Sequence, residues 1–356
     1  MAYLRPALKR PNLTLHIRSL ATRVLFQGVA GSPRAVGVEV AHKGRLRQLR
    51  AGREVILCGG AINSPQLLQL SGIGDPEHLR PLGIPVTVPL KGVGENLQDH
   101  LETYVQYASK EPITLYSALN PLVKLRIGAQ WLLFRSGLGA TNHFESGGFI
   151  RSAAGVQHPD LQYHFLPMAV RYDGKAPATG HGFQAHVGPM RPTSRGHVRV
   201  RTASAKDAPE ILFNYMRTEQ DRKEMRAGVR LTREVFAQKA FDPYRGQELA
   251  PGPGIQTDAQ IDAHIRANAE TAYHPSCTCR MGTDAMAVTD GAGRVHGVPG
   301  LRVIDSSIMP DVVSGNLNVP TIMMAEKLSD AIRGRTALPV SAAPFFVHPH
   351  YLTQQR

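Results

Sequence analysis

Short apolar runs, broken every few residues by glycine or proline, set the pattern of this chain. Leu13, Leu15 and Ile17 alternate with polar residues, the period of a half-buried strand. Val24-Leu25-Phe26 and Ala35 to Val40 continue in β-rich style, with Gly31-Ser32-Pro33 as the turn between them. Arg53 to Cys58 reads as a buried strand ending in Gly59-Gly60. Ser64 predicts a helix N-cap with Pro65 at the first helical position, where its missing N–H costs nothing. Gln66 to Leu70 then forms a short helix that Gly72 and Gly74 end. Strand, glycine turn and helix start together let backbone N–H groups approach a phosphate or ribose, though such turns occur in any α/β protein.

From Leu101 to Ala250 the texture changes. Pro121 to Phe134 predicts a helix with Leu122, Leu125 and Leu132 apolar. Phe149-Ile150, Leu161 to Val170, Phe183 to Val187 and His197 to Thr202 predict strands between Gly, Pro and Ser turns, dense enough for an antiparallel sheet. Glu219 to Phe236 predicts a helix capped by Thr218, with Met225, Val229, Thr232 and Phe236 along one face. Thr257 and Gln260 form a capping-box pattern. A last helix has Pro320 at its start and Gly334 past its end. The expected class is α/β, α+β overall.

Composition narrows the partners. The 356 residues suggest about two domains, and 42% hydrophobic content is enough for a core. No apolar run approaches the ~18 residues of a membrane-spanning helix. Met1 to Arg10 has no apolar signal-peptide centre, and the 3 cysteines make no disulfide framework, which favours a reducing compartment. Net charge is +13, from 41 Lys and Arg against 28 Asp and Glu. The basic residues are scattered and no nucleic-acid reader motif is present, which argues against a nucleic-acid partner and leaves weak attachment to an anionic membrane face.

The candidate chemistry lies near the end, in Tyr273-His274-Pro275-Ser276-Cys277-Thr278-Cys279-Arg280-Met281-Gly282 and Ser314-Gly315-Asn316-Leu317-Asn318-Val319-Pro320-Thr321. A histidine paired with an amide suits proton removal from an alcohol: the imidazole takes the hydroxyl proton and the amide donates to the oxygen left behind. The blander alternatives are a structural His before a proline turn, and Asn316 or Asn318 capping the helix that opens at Pro320, Asn318 lying nearer it. His274, Cys277 and Cys279 lack zinc spacing and a fourth ligand, so no metal is expected. His100, His181, His186 and His197 receive no role.

Gly60-Ala61-Ile62-Asn63-Ser64-Pro65-Gln66-Leu67-Leu68 with Ser71-Gly72-Ile73-Gly74, then Gly92-Val93-Gly94-Glu95-Asn96-Leu97-Gln98-Asp99-His100, resemble signatures of the glucose-methanol-choline (GMC) flavoprotein oxidoreductases. Leu301 to Pro310 and the two C-terminal motifs complete the likeness, which covers nearly the whole chain. Phe144 to Arg151, Gln162 to Pro167 and Gly180 to Met190 resemble the choline-oxidising branch. The resemblance implies FAD as cofactor, choline as substrate, a respiratory electron acceptor and a cytoplasmic site on the inner face of a bacterial membrane. Another alcohol remains the alternative. It implies His274 as base and Asn316 as second polar catalytic group. Glu145 would be the carboxylate facing the substrate cation, with Phe144 and Tyr163 as cage members. Val24, Asp305, Ser306, Asn318 and Thr321 fall on the cofactor side.

One departure is large. The family's G-x-G-x-x-G turn, which holds the ADP half of FAD, is absent from the sequence. The expectation is therefore an incomplete Rossmann-like FAD-binding domain from residues 1–100 and 265–340, a substrate domain at 101–264 with an antiparallel sheet and helices, and a tail at 341–356. A complementing N-terminal segment would supply the missing turn; a catalytically silent fragment is the remaining alternative.

Overall fold

The computed structural model describes residues 2–28, 33–170 and 180–355. Strand β1 (Ser19–Gln27) pairs antiparallel with β2 (Arg34–His42), and β2 with β3 (Arg45–Arg50). Leu13, Leu15 and Ile17 are not strand: they lie in irregular chain, 39%, 49% and 63% exposed. Their alternation has no ladder partner, and an unpaired segment does not hold strand geometry. Gly31 and Ser32 of the expected turn lie outside the described residues. β3 is exposed along its whole length, so no buried face marked it in the sequence.

β4 (Val55–Leu57) buries Val55 and Leu57 and leaves Ile56 exposed. Helix α1 (Gly60–Leu70) follows at once and starts earlier than Ser64 suggested. Ser64 is not its cap. The hydroxyl accepts from the Gly59 N–H at 2.9 Å and donates to Asp305 at 2.6 Å. Pro65 thus sits inside the helix, where it removes one backbone donor and leaves the Ala61 carbonyl without its helical partner. The buried Thr278 hydroxyl donates to that carbonyl at 2.7 Å. Thr278→Val, which keeps the shape and removes the donor, is expected to cost about 1–3 kcal/mol in a urea denaturation series.

The second body is an antiparallel sheet. Its strands are β5 (Leu101–Ser109), then, after helix α2 (Pro121–Phe134), β6 (Ser146–Ile150), β7 (Leu161–Leu166) and β8 (Gly182–Pro189). Helix α3 (Glu219–Phe236), β9 (Arg245–Ala250), helix α4 (Asp258–Asn268) and the short β10 (Glu270–Thr271) follow. The order is β9-β5-β8-β7-β6, with β10 also on β5. The Thr218 cap of α3 and both halves of the Thr257–Gln260 capping box of α4 form as expected. α2 also forms where expected, but Leu122, Leu125 and Leu132 remain 77%, 71% and 63% exposed.

The pleat of this sheet separates two chemistries. Leu101, Val105, Tyr107, Tyr163, Phe165, Phe183 and Ala185 share one face and pack on Met225, Val229 and Phe236 of α3. Glu102, Tyr104 and Gln106 share the other face with Gln184, His186 and His164. This polar face is one wall of the site described below.

The chain returns to the first body with β11 (Leu301–Val303) and helix α5 (Asn318–Ile332). β11 runs parallel to β4, Leu301 beside Val55 and Val303 beside Leu57. Among the described residues no strand pairs with the other edge of β4. α5 starts at Asn318 with Leu317 in the cap position and no side-chain cap, so Asn318 does not cap it. The Thr321 hydroxyl instead bonds back to the Leu317 carbonyl at 2.8 Å.

Candidate active site

His274 is held at both its backbone and its ring by two adjacent residues. The buried Asp99 carboxylate accepts from the His274 N–H at 2.9 Å, the Thr271 hydroxyl at 2.5 Å and the Tyr215 hydroxyl at 2.5 Å. Thr271 accepts in turn from the Tyr273 N–H at 2.8 Å. These bonds fix Tyr273 in a left-handed conformation, φ 62°, which a residue with a Cβ adopts only when its surroundings compel it. The turn aims the next side chain, His274, into a cavity. Burial raises the Asp99 carboxyl, opposed by its three donors.

The ring is set by His100. Its Nε2 lies 2.9 Å from the Met190 carbonyl, which only accepts, so the His100 proton is on Nε2. Its Nδ1 is therefore an acceptor, and it lies 2.9 Å from His274 Nδ1. His274 accordingly carries its proton on Nδ1, and its Nε2, with no hydrogen-bond partner among the described residues, has a lone pair to accept a proton. Burial and the neighbouring His100 lower the His274 pKa from 6.5, against the pull of Asp99 and Glu102. The imidazole is a neutral base at pH 7.

The cavity beside it has a volume of about 520 Å³ and is lined by His274, Asn316, Glu102, Phe144, His164 and His186, among others. His274 and Asn316 thus meet although 42 positions separate them in the chain. The Gln162 amide donates to Asn316 Oδ1 at 2.9 Å, which leaves the Asn316 NH2 group as the donor facing outward.

Several expected site residues are not brought here. Glu145 is exposed, its carboxylate bonded by the Thr141 hydroxyl, and is not on the cavity wall. Tyr163 points to the apolar face and donates to the Gly228 carbonyl; one residue along β7, His164 takes the cavity side, because successive strand residues alternate. Phe144 does reach the wall. Val24 is a core residue whose N–H donates to Ser71 at 2.8 Å. The Asp305 carboxylate accepts from the Gly60 N–H, the Ser64 hydroxyl and the Ser307 N–H, so it ties β11 to the start of α1. Ser306 donates to the Pro275 carbonyl at 3.2 Å. Asn318 and Thr321 lie on the first turn of α5. Cys277 and Cys279 pack in two different apolar clusters; burial raises both thiols, Cys277 to about 12.

Residues 1–102 match the N-terminal model of the GMC oxidoreductases and residues 192–325 match the C-terminal one. The chain belongs to the GMC oxidoreductase family. It is 55% identical over 345 residues to an oxygen-dependent choline dehydrogenase of Chromohalobacter salexigens, covering 97% of this chain and 61% of that protein. It is 56% identical over 346 residues to one of Stenotrophomonas maltophilia, again 97% and 61%. The fold matches an FAD-dependent oxidoreductase from Chaetomium thermophilum with a TM-score of 0.80 at 25% identity, over 93% of this chain and 63% of that one. The chain thus spans about 61% of the length of the curated relatives it matches.

Within this GMC chain, sequence reading missed Asp99, His100, Glu102, His164 and His186. A signal was present for Glu102: Glu, Tyr and Gln alternate with Leu, Thr and Val from Leu101 to Gln106, the pattern of a strand with one polar face.

Proposed function

We propose that this chain carries the catalytic end of an FAD-dependent oxidoreductase that converts choline to betaine aldehyde. The observation that supports it most is the His274–Asn316 cavity, with a lone-pair-bearing Nε2 and an outward-facing amide donor on its wall. His274 accepts the hydroxyl proton at Nε2. Asn316 donates to the oxygen as it becomes negative, which stabilises the alkoxide. His100 and Asp99 hold the imidazole in its accepting tautomer and orientation. FAD, when bound, supplies the hydride acceptor.

The residues present suit only part of that cofactor. Gly59 and Gly60 leave the start of α1 bare, Gly60 with φ 74° and nothing near its missing Cβ, beside a hollow of about 410 Å³ lined by Asn63, Ser64 and Leu67. The diphosphate-holding turn is proposed to come from further polypeptide beside the open edge of β4. The second substrate is an electron acceptor, which the relatives' name puts as oxygen rather than the expected respiratory carrier. No helix among the described residues is long and apolar enough to cross a membrane. Peripheral contact with an anionic membrane face is supported by the +13 charge and by α2, where exposed leucines stand beside Lys124, Arg126 and Arg135.

Steady-state kinetics on the flavin-loaded protein test the reading. Choline should be turned over, and kcat/KM should fall as pH drops through a single ionisation below 6.5, since protonated His274 has no lone pair. No choline turnover, or a rate independent of pH between 5 and 8, about the range an imidazole covers, would remove it.

A further inference from the structure

The segment that carries Asn316 has no fastening of its own. It runs from the 306–308 turn to α5, and among the described residues no backbone-to-backbone hydrogen bond holds residues 310–316. Val312 and Leu317 are buried, but Asn316 is exposed, so packing does not fix its amide. The χ2 torsion of an asparagine is broad and two-fold, with no strong preference of its own. Yet a donor to a developing alkoxide has to be held within about 0.5 Å of its place.

The hold comes from side chains elsewhere in the fold. At the start of the segment the Asn96 amide donates to the Pro310 carbonyl at 3.2 Å. The Gln98 amide donates to Asp311 Oδ1 at 3.1 Å and accepts from the Val312 N–H at 3.1 Å. The Arg195 guanidinium donates to the same Asp311 oxygen at 3.1 Å. At the far end both contacts come from the second body. Arg191, just past β8, donates to Ser314 Oγ at 3.0 Å and to the His158 carbonyl at 3.4 Å. Gln162, on the same face of β7 as His164, donates to Asn316 Oδ1 at 2.9 Å. Gly315 lies between these two bonds with φ 103°, and a Cβ there would meet Phe149 Cε1 at 3.7 Å and Gln162 Oε1 at 4.0 Å. The turn therefore sits against the β6–β7 pair, in which Phe149 stands opposite Gln162. Asn316 belongs to the first body by sequence, and the sheet of the second body holds it in place.

Resting on the reading of Asn316 as the donor to the alkoxide, we infer that Arg191 and Gln162 are its positioning residues. Arg191 fixes the place of the 314–316 turn. Gln162 fixes which end of the Asn316 amide faces the cavity. Neither residue lines the cavity itself.

Kinetics and hydrogen exchange on the flavin-loaded protein decide it. Gln162→Leu and Arg191→Leu should each lower kcat for choline by about 10–100-fold with KM little changed, the size of effect expected when a catalytic group is misplaced. Arg191→Lys, which keeps a donor, should recover most of the loss. Gln162→Glu should be worse than Gln162→Leu: an ionised carboxylate only accepts, so it draws the Asn316 NH2 to itself and turns Oδ1 to the cavity. In an Asn316→Ala background all of these substitutions should be silent, an outcome that a merely structural role would not produce. Exchange of the 312–317 backbone amides, read by mass spectrometry, should speed up in the Gln162→Leu, Arg191→Leu double variant while that of residues 322–332 stays unchanged. Equal losses with and without the Asn316 amide, or unaltered exchange at 312–317, overturn the inference. If Asn316→Ala itself turns over choline at the wild-type rate, the reading of Asn316 fails and the inference falls with it. If the wild-type protein does not oxidise choline, the proposed function fails, and the exchange result alone then decides whether the two residues hold the turn.

Discussion

Alanine in place of His274 is expected to lower turnover of the flavin-loaded protein by about 10²–10⁴-fold, the usual contribution of a positioned general base. The side chain is half-buried at the edge of an open cavity, so its removal creates no sealed void. The Asp99 bond goes to the backbone of residue 274 and survives the substitution. Thermal midpoint and flavin absorbance should therefore match the wild type while the rate collapses. His274→Gln should not recover the rate, because an amide accepts no proton at neutral pH. The pH dependence described above should disappear together with the activity. A variant retaining near-normal turnover would show that some other group takes the proton, and the tautomer argument through His100 would lose its purpose.

The second large effect concerns stability. Phe236 is 1% exposed and sits at the centre of an aromatic cluster, 5.3 Å from the Tyr107 ring, 5.2 Å from Phe183 and 5.1 Å from Phe241. Phe236→Ala should destabilise the protein by about 3–5 kcal/mol, from lost burial plus the cavity left behind. Three of its neighbours come from the sheet and the 239–241 turn, so little of the space can close around the smaller residue. Urea denaturation gives the value. Leu125→Ala, on the helix face that is 71% exposed, is the matched comparison and should stay within about 0.5 kcal/mol. A cost for Leu125→Ala as large as that for Phe236→Ala would mean that the exposed face of α2 is covered in solution. Loss of the Phe236 ring should also reach the cavity, because Phe183 and His186 are on the same strand.

Helices with strong local signals were legible. The Glu219–Phe236 segment carries its cap, its apolar stripe and its length in consecutive residues, and so does the Thr257–Gln260 box. Ser64-Pro65 carried a true local preference that a longer-range bond overrode: Thr278 satisfies the carbonyl that the proline orphans, so the helix runs through it. Leu13 to Ile17 had strand periodicity and no partner. β5 was missed although its alternation was present, because its two faces differ in chemistry more than in hydrophobicity.

By itself the sequence marked His274 and Asn316 as the candidate chemical pair and determined that the chain belongs to the GMC oxidoreductases, because both rest on residue types in contiguous motifs. Tertiary structure alone decided which nitrogen of His274 is basic, since that depends on Met190 and His100 meeting it across the fold. It also decided that Glu102, and not Glu145, stands on the cavity wall. The physical reason is the pleat: a side chain's face is set by strand register, and register is fixed by partners far away in the chain.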